Sequence, residues 1–206
     1  MDDLEVSHSK LAANAAMVAS ELHSAGKLAQ ELSLVAKNTR TLVVRAGNTA
    51  QGLKVITEHF SDLADRIIGQ TKTINDLAVK ITKTSVIGWK SDNVCGRLAQ
   101  AQSIANGASY IETLLEPAER NSEMSRQLQS EFAAMMSGMD EKLEDIRSFM
   151  RSTDMISVTF KLEAIQTGEH EKVLIEMATK IDSLSEGIRE SVRCSQKLAK
   201  NRRLVS

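Results

Sequence analysis

Residues 53–81 read LKVITEHFSDLADRIIGQTKTINDLAVKI, and the spacing of their apolar side chains decides the fold. Leu53, Phe60, Ile67, Ile74 and Ile81 recur every seven residues, with Ile56, Leu63 and Leu77 in a second row that Gln70 interrupts. Seven residues come close to two helical turns, so both rows fall on one stripe of a helix. Such a stripe is a coiled-coil seam and has to be covered by other helices.

Just upstream, Arg45-Ala46-Gly47-Asn48-Thr49-Ala50-Gln51-Gly52 holds two glycines, where the chain reverses direction at least steric cost. The preceding segment carries its own rows, Leu4, Leu11, Val18, Ala25 and Leu32 beside Leu28, Val35 and Leu42. The spacing therefore predicts an antiparallel hairpin with its bend near residues 46–50. A first arm of about 45 residues reaches roughly 70 Å at about 1.5 Å per residue.

Downstream the pattern returns. Phe132, Met139, Ile146 and Phe160 share one row of a third helix, and Leu128, Met135, Phe149 and Ile156 share the other. A second reversal is predicted at Thr167-Gly168-Glu169. Leu174, Ile181 and Ile188, flanked by Met177, Leu184 and Leu198, form the seam of a fourth helix. A shift of 121 positions lays Gly47 on Gly168, Leu53 on Leu174, Phe60 on Ile181 and Leu63 on Leu184 without a gap, so the chain reads as two related hairpins. Ser85 to Asn93, with Gly88 and Trp89, interrupts the seam, and Asn106-Gly107 and Glu116-Pro117 are further boundaries. The predicted organisation is a first hairpin over 1–86, a connector with short helices over 87–116 and a second hairpin over 117–206, with the second helix either stopping near 86 or running on to 106. The fold class is all-α: a long antiparallel coiled-coil four-helix bundle built from two hairpins.

Composition agrees with helices and narrows the function. One Trp, one Tyr and four Phe suit helix seams better than a sheet-built core, and the single proline, Pro117, leaves long helices uninterrupted. It fits the first turn of a helix, where its missing donor costs nothing. A net charge of −1 gives no electrostatic reason to expect nucleic acid or anionic lipid as a partner. No stretch approaches the roughly 20 apolar residues of a membrane span, and Met1-Asp2-Asp3-Leu4 is acidic where a secretory leader is basic. The chain reads as soluble and cytoplasmic. Cys95 and Cys194 have neither metal-ligand spacing nor a disulfide pattern.

Catalytic readings find little to build on. Phosphate-binding glycine loops, nucleophile elbows and Cys-x-x-Cys pairs are missing, so no enzyme activity and no cofactor are expected. A di-iron bundle needs two Glu-x-x-His motifs with further carboxylates; Glu5-Val6-Ser7-His8 is the one such motif, and no metal site is expected. His170-Glu171 is similar to the dipeptide of histidine-kinase dimerisation helices, but no nucleotide-binding domain accompanies it. Gln166 invites comparison with hairpin phosphatases of response regulators, whose acidic-amide motif is absent here. Met135, Met136 and Met139 fall at helical spacing and read as adaptable core packing.

The first bend carries a family resemblance. Asn38, Arg45, Ala46, Gly47 and Gly52 match, without gaps, the cytoplasmic tip of bacterial methyl-accepting chemotaxis proteins, and Leu53, Val55 and Ile56 match in kind. Glu163-Ala164 and Gly168-Glu169 resemble the same pattern at the second bend. There are departures: Leu42 and Asn48 stand where the family has glutamates, and Gln166 where it has arginine. Gln30-Glu31 lacks the small flanking residues of an adaptation site, so no methyl-accepting role is expected.

The resemblance implies hairpin tips that dock the histidine kinase CheA, the coupling protein CheW or receptor tips. Chemoreceptors pair two chains of one hairpin each, whereas here one chain supplies both, so the resemblance implies a pseudo-two-fold bundle that imitates the receptor dimer within one chain, with both bends at one end. The expected partner-binding residues are Asn38, Arg45, Gly47 and Asn48 at the first bend, with Glu163, Gly168 and Glu169 at the second. Arg45 offers a forked contact to a carboxylate, and Asn38 both donates and accepts; Val43 and Val44 are expected as apolar tip surface. Two classes of function compete: a signalling module or adaptor of this kind, and a structural or oligomerising bundle without chemotaxis partners. Pairing of the hairpins within one chain predicts a monomer, and exchange between chains a homodimer.

Overall fold

A computed structural model describes residues 2–104, 113 and 115–200, with side chains from residue 12 to 199 apart from 48, 49, 105–112 and 114. Four helices account for nearly all of it: α1 (Asp2–Ala46), α2 (Gln51–Ile104), α3 (Leu115–Ile165) and α4 (Glu171–Lys200). No strand occurs among the described residues. α1 packs on α2 and α4, and α3 packs on the same two helices. The result is a four-sided bundle with α1 and α3 on one diagonal. No described helix is long and apolar enough to cross a membrane.

Contacts between helices, including the approach of Gly187 in α4 to Leu28 in α1, show that every neighbouring pair is antiparallel. Arg40 meets Glu58 at 3.0 Å and Ser33 Oγ donates to Asp65 at 3.3 Å between α1 and α2. Gln70 Nε2 donates to Asp145 Oδ2 at 3.1 Å between α2 and α3, and Lys180 pairs with Glu31 at 2.9 Å between α4 and α1. Asp182 accepts from Ser157 and Lys161, and Arg189 pairs with Asp154, between α3 and α4. The polar interruption at Gln70 is thus a half-buried link to the neighbouring helix. Asp145 also accepts from Lys142 at 3.4 Å. The ammonium of Lys142 is held above its ordinary pKa chiefly by its hydrogen bond to Glu141, against desolvation, with further support from the charge of Glu141 and from Asp145.

The rows read from the sequence form the core. Val18, Ala25, Leu32, Leu53, Phe60, Ile67, Ile74, Ile81, Met139, Ile146, Phe160, Leu174 and Ile188 are all fully buried, and Ile181 is 1% exposed. Of the second rows, Leu28, Ile56, Leu77, Met135, Phe149 and Met177 are partly buried against that core, and Val35, Leu63, Leu128 and Leu184 are buried. Leu4 and Leu11 lie outside the described side chains, as do Glu5 and His8.

The helices close tightly where small residues allow it. Gly187 sits against Leu28, where an added Cβ would come within 2.9 Å of a leucine methyl. The internal repeat persists in the polar contacts. The shift of 121 takes Ser33 and Asp65 to Asp154 and Glu186, the two carboxylates that Arg189 bridges.

Of the connector expected over 87–116, residues 87–104 belong instead to the second helix, which takes the longer of its two expected extents. α2 runs unbroken through Ser85–Asn93 to Ile104, and α3 begins at Leu115. Ser85, Gly88 and Ser91 continue the buried seam from Ile81 at helical spacing, so the apparent break is a change from large to small core residues. Small residues bring α2 and α3 close enough for direct polar links. Asn121 Nδ2 donates to the Ser91 carbonyl at 2.7 Å, and Ser91 Oγ donates to Asn121 Oδ1 at 3.1 Å. Asn106 and Gly107 lie outside the described residues. Pro117 stands in the first turn of α3.

Candidate docking end of the bundle

α1 ends at Ala46 because Gly47 takes φ +69°, which reverses the chain into a single 3-10 turn, Gly47–Ala50. Ala50 and Val43 are buried and close the core beneath the turn. α3 ends at Ile165 in a tighter arrangement. Gln166 N donates to the Glu163 carbonyl and Thr167 N to the Ala164 carbonyl, each at 3.1 Å, and Thr167 Oγ1 donates to the Ala164 carbonyl at 2.6 Å. Thr167 is buried with its hydroxyl satisfied, and Gly168 at φ +62° then turns the chain through Gly168–His170 into α4.

A Cβ at either turning glycine would have no heavy atom within 4 Å, so only backbone strain opposes substitution there. Gly47→Ala and Gly168→Ala are each expected to lower the unfolding free energy by about 1 kcal/mol in a denaturant titration.

The two bends lie side by side. An added Cβ at Gly52, one residue into α2, would meet the Glu163 carboxylate near the end of α3. The antiparallel register of α2 and α3 requires the same placement, since both helices have their bend-proximal ends at one extremity.

The sequence-predicted residues divide between surface and interior. Asn38 and Arg45 are exposed, and their side chains form no hydrogen bond or ion pair among the described residues, with Arg45 in the last turn of α1. Gly47 and Gly168 are the exposed turning residues themselves. Glu169 is open to solvent: its side chain is 89% exposed and its carboxylate lies 3.7 Å from His170 Nε2. Glu163 is half-buried against the first hairpin, and so serves the junction between hairpins as well as the surface. Asn48 has its backbone in the first turn, and its side chain lies outside the described residues. Val43 is corrected from surface to core at 3% exposure, whereas Val44 is 66% exposed.

A feature the sequence reading passed over is an exposed apolar stripe on α3 formed by Met155, Val158, Leu162 and Ile165. Its signal was present as a second apolar periodicity, offset from the seam and hidden beside it in Met155-Ile156-Ser157-Val158-Thr159-Phe160-Lys161-Leu162.

Elsewhere chemistry finds little purchase. No group of three or more potential metal ligands occurs among the described residues. The seam between α3 and α4 opens a groove of about 390 Å³ lined by Arg147, Arg151, Arg189 and Arg193. Each of these arginines already pairs with a carboxylate. Comparison of the chain with protein-family models, with curated proteins and with solved structures finds no match in any of the three.

Proposed function

We propose that this chain is a cytoplasmic chemoreceptor-like signalling module or adaptor, without catalytic activity, that docks the kinase CheA, the coupling protein CheW or receptor tips through its hairpin bends. The observation that carries this reading is the juxtaposition of the two bends at one end of a single-chain bundle, with Glu163 of one hairpin against Gly52 of the other. The seam rows are spent in the core of the shaft, and the end of the bundle adds bent backbone to its exposed polar side chains. Arg45 and Glu169 supply opposite charges there on exposed side chains. A partner with complementary carboxylate and basic groups gains charge-assisted hydrogen bonds from both.

The experiment is capture of purified CheW and CheA by the immobilised chain. Capture of at least one partner is expected, weakened by about fivefold or more by Arg45→Ala and by Glu169→Ala. Both residues are exposed, so helicity measured by circular dichroism should not change. Absence of capture, or capture indifferent to both substitutions, removes the docking reading and leaves the bundle as a structural or oligomerising scaffold. The exposed stripe on α3 is the observation that favours that second reading.

A further inference from the structure

We infer that the outer face of α3 next to the second bend is a self-association surface on which a second copy of this chain docks antiparallel. Met155, Val158, Leu162 and Ile165 are 79%, 60%, 59% and 55% exposed. Their spacing of three, four and three residues is that of a coiled-coil seam. The helix buries its opposite side through Thr153, Ser157, Phe160 and Ala164. The final three turns of α3 therefore carry two apolar stripes, one inside the bundle and one facing solvent.

Flanking charge selects both the occupant and its direction. Asp154 and Lys161 border the stripe on the same side, each one residue before a stripe residue. In an antiparallel pair such flanks face their counterparts, so Asp154 of each copy meets Lys161 of the other, twice through the two-fold axis. Parallel pairing would instead set Asp154 against Thr159 and Lys161 against Gln166, with no ion pair. Both charges are accessible, at 63% and 40% side-chain exposure, while Arg189 and Asp182 hold them beside the stripe.

The internal repeat offers no equivalent second face. The shift of 121 carries the stripe onto Leu34, Lys37, Thr41 and Val44 of α1, which is polar at its centre. One self-complementary face per chain closes as a dimer and does not propagate.

Four side chains of this size present on the order of 400 Å² of apolar surface per copy, about half of a standard interface, which is the size of a weak, reversible association. This inference is independent of the docking reading.

The test is sedimentation equilibrium on the full chain from about 1 to 500 μM, with circular dichroism to verify folding of every variant. The wild-type mass is expected to rise toward twice the monomer value, and Leu162→Glu to remain monomeric throughout. Asp154→Lys and Lys161→Asp are each expected to weaken the dimer by about fivefold, and the double variant D154K/K161D to associate more tightly than either single variant. A wild type that stays monomeric overturns the inference. So does a dimer indifferent to Leu162→Glu, or a double variant no stronger than the singles.

Discussion

Replacing Phe60 with alanine is expected to lower the unfolding free energy by about 3–5 kcal/mol, the largest single-residue effect we foresee in this bundle. The chain has four phenylalanines, and Phe60 and Phe160 are the largest fully buried side chains among the described residues. Around them the core is built mainly from Ala, Leu, Ile and Val on rigid helices, which limits collapse into the space a lost ring leaves. The repeat distributes this volume unequally. Thr39 in α1 occupies the position equivalent to Phe160 in α3, and Ile181 in α4 the position equivalent to Phe60 in α2. Each hairpin thus has one ring at this level and one smaller partner. Thr39, fully buried, satisfies its hydroxyl by donating to the Val35 carbonyl at 2.8 Å. Phe160→Ala should cost a similar amount. Urea denaturation provides the measurement, and a loss below about 1 kcal/mol for either variant would contradict the packing described.

Ile87→Pro is expected to cost about 3 kcal/mol or more and to reduce helicity, whereas Ile87→Ala should change stability by less than about 0.5 kcal/mol. Ile87 is half exposed, so its side chain contributes little, and the effect isolates the backbone. Within a continuous α2 the proline ring removes one hydrogen bond and clashes with the preceding turn. In a flexible connector the same substitution would be tolerated. Circular dichroism and a denaturation curve for the two variants therefore test directly whether α2 passes through residues 85–93, and equal stability of the two would restore the connector.

Much of the fold was legible because coiled-coil seams are written in the spacing of large apolar residues. Ile67, Ile74 and Ile81 announce a buried stripe regardless of what covers it, and Gly47 and Gly168 mark reversals because they alone in the described chain adopt positive φ. The seam from Ser85 to Ser91 was not legible in the same way. Serine and glycine are read as breakers by composition, yet on a helix held by its neighbours they act as small core residues, and Asn121 supplies the polar partner of Ser91 from 30 positions away. Val43 and Val44 are adjacent and alike in sequence, but the phase of α1 buries the first and exposes the second. For the candidate site, residue types and bend positions were readable, but the contact of Glu163 with Gly52 was not, since it joins helices far apart in the chain.

The sequence by itself determined that the chain is helical, where the helices present apolar stripes and where the chain turns back, because these depend on local periodicity and backbone freedom. Only the tertiary structure decided that both bends share one end, that α2 is continuous and that one face of α3 stays uncovered. Those outcomes depend on which surfaces meet, and burial is settled by neighbours that sequence spacing does not identify.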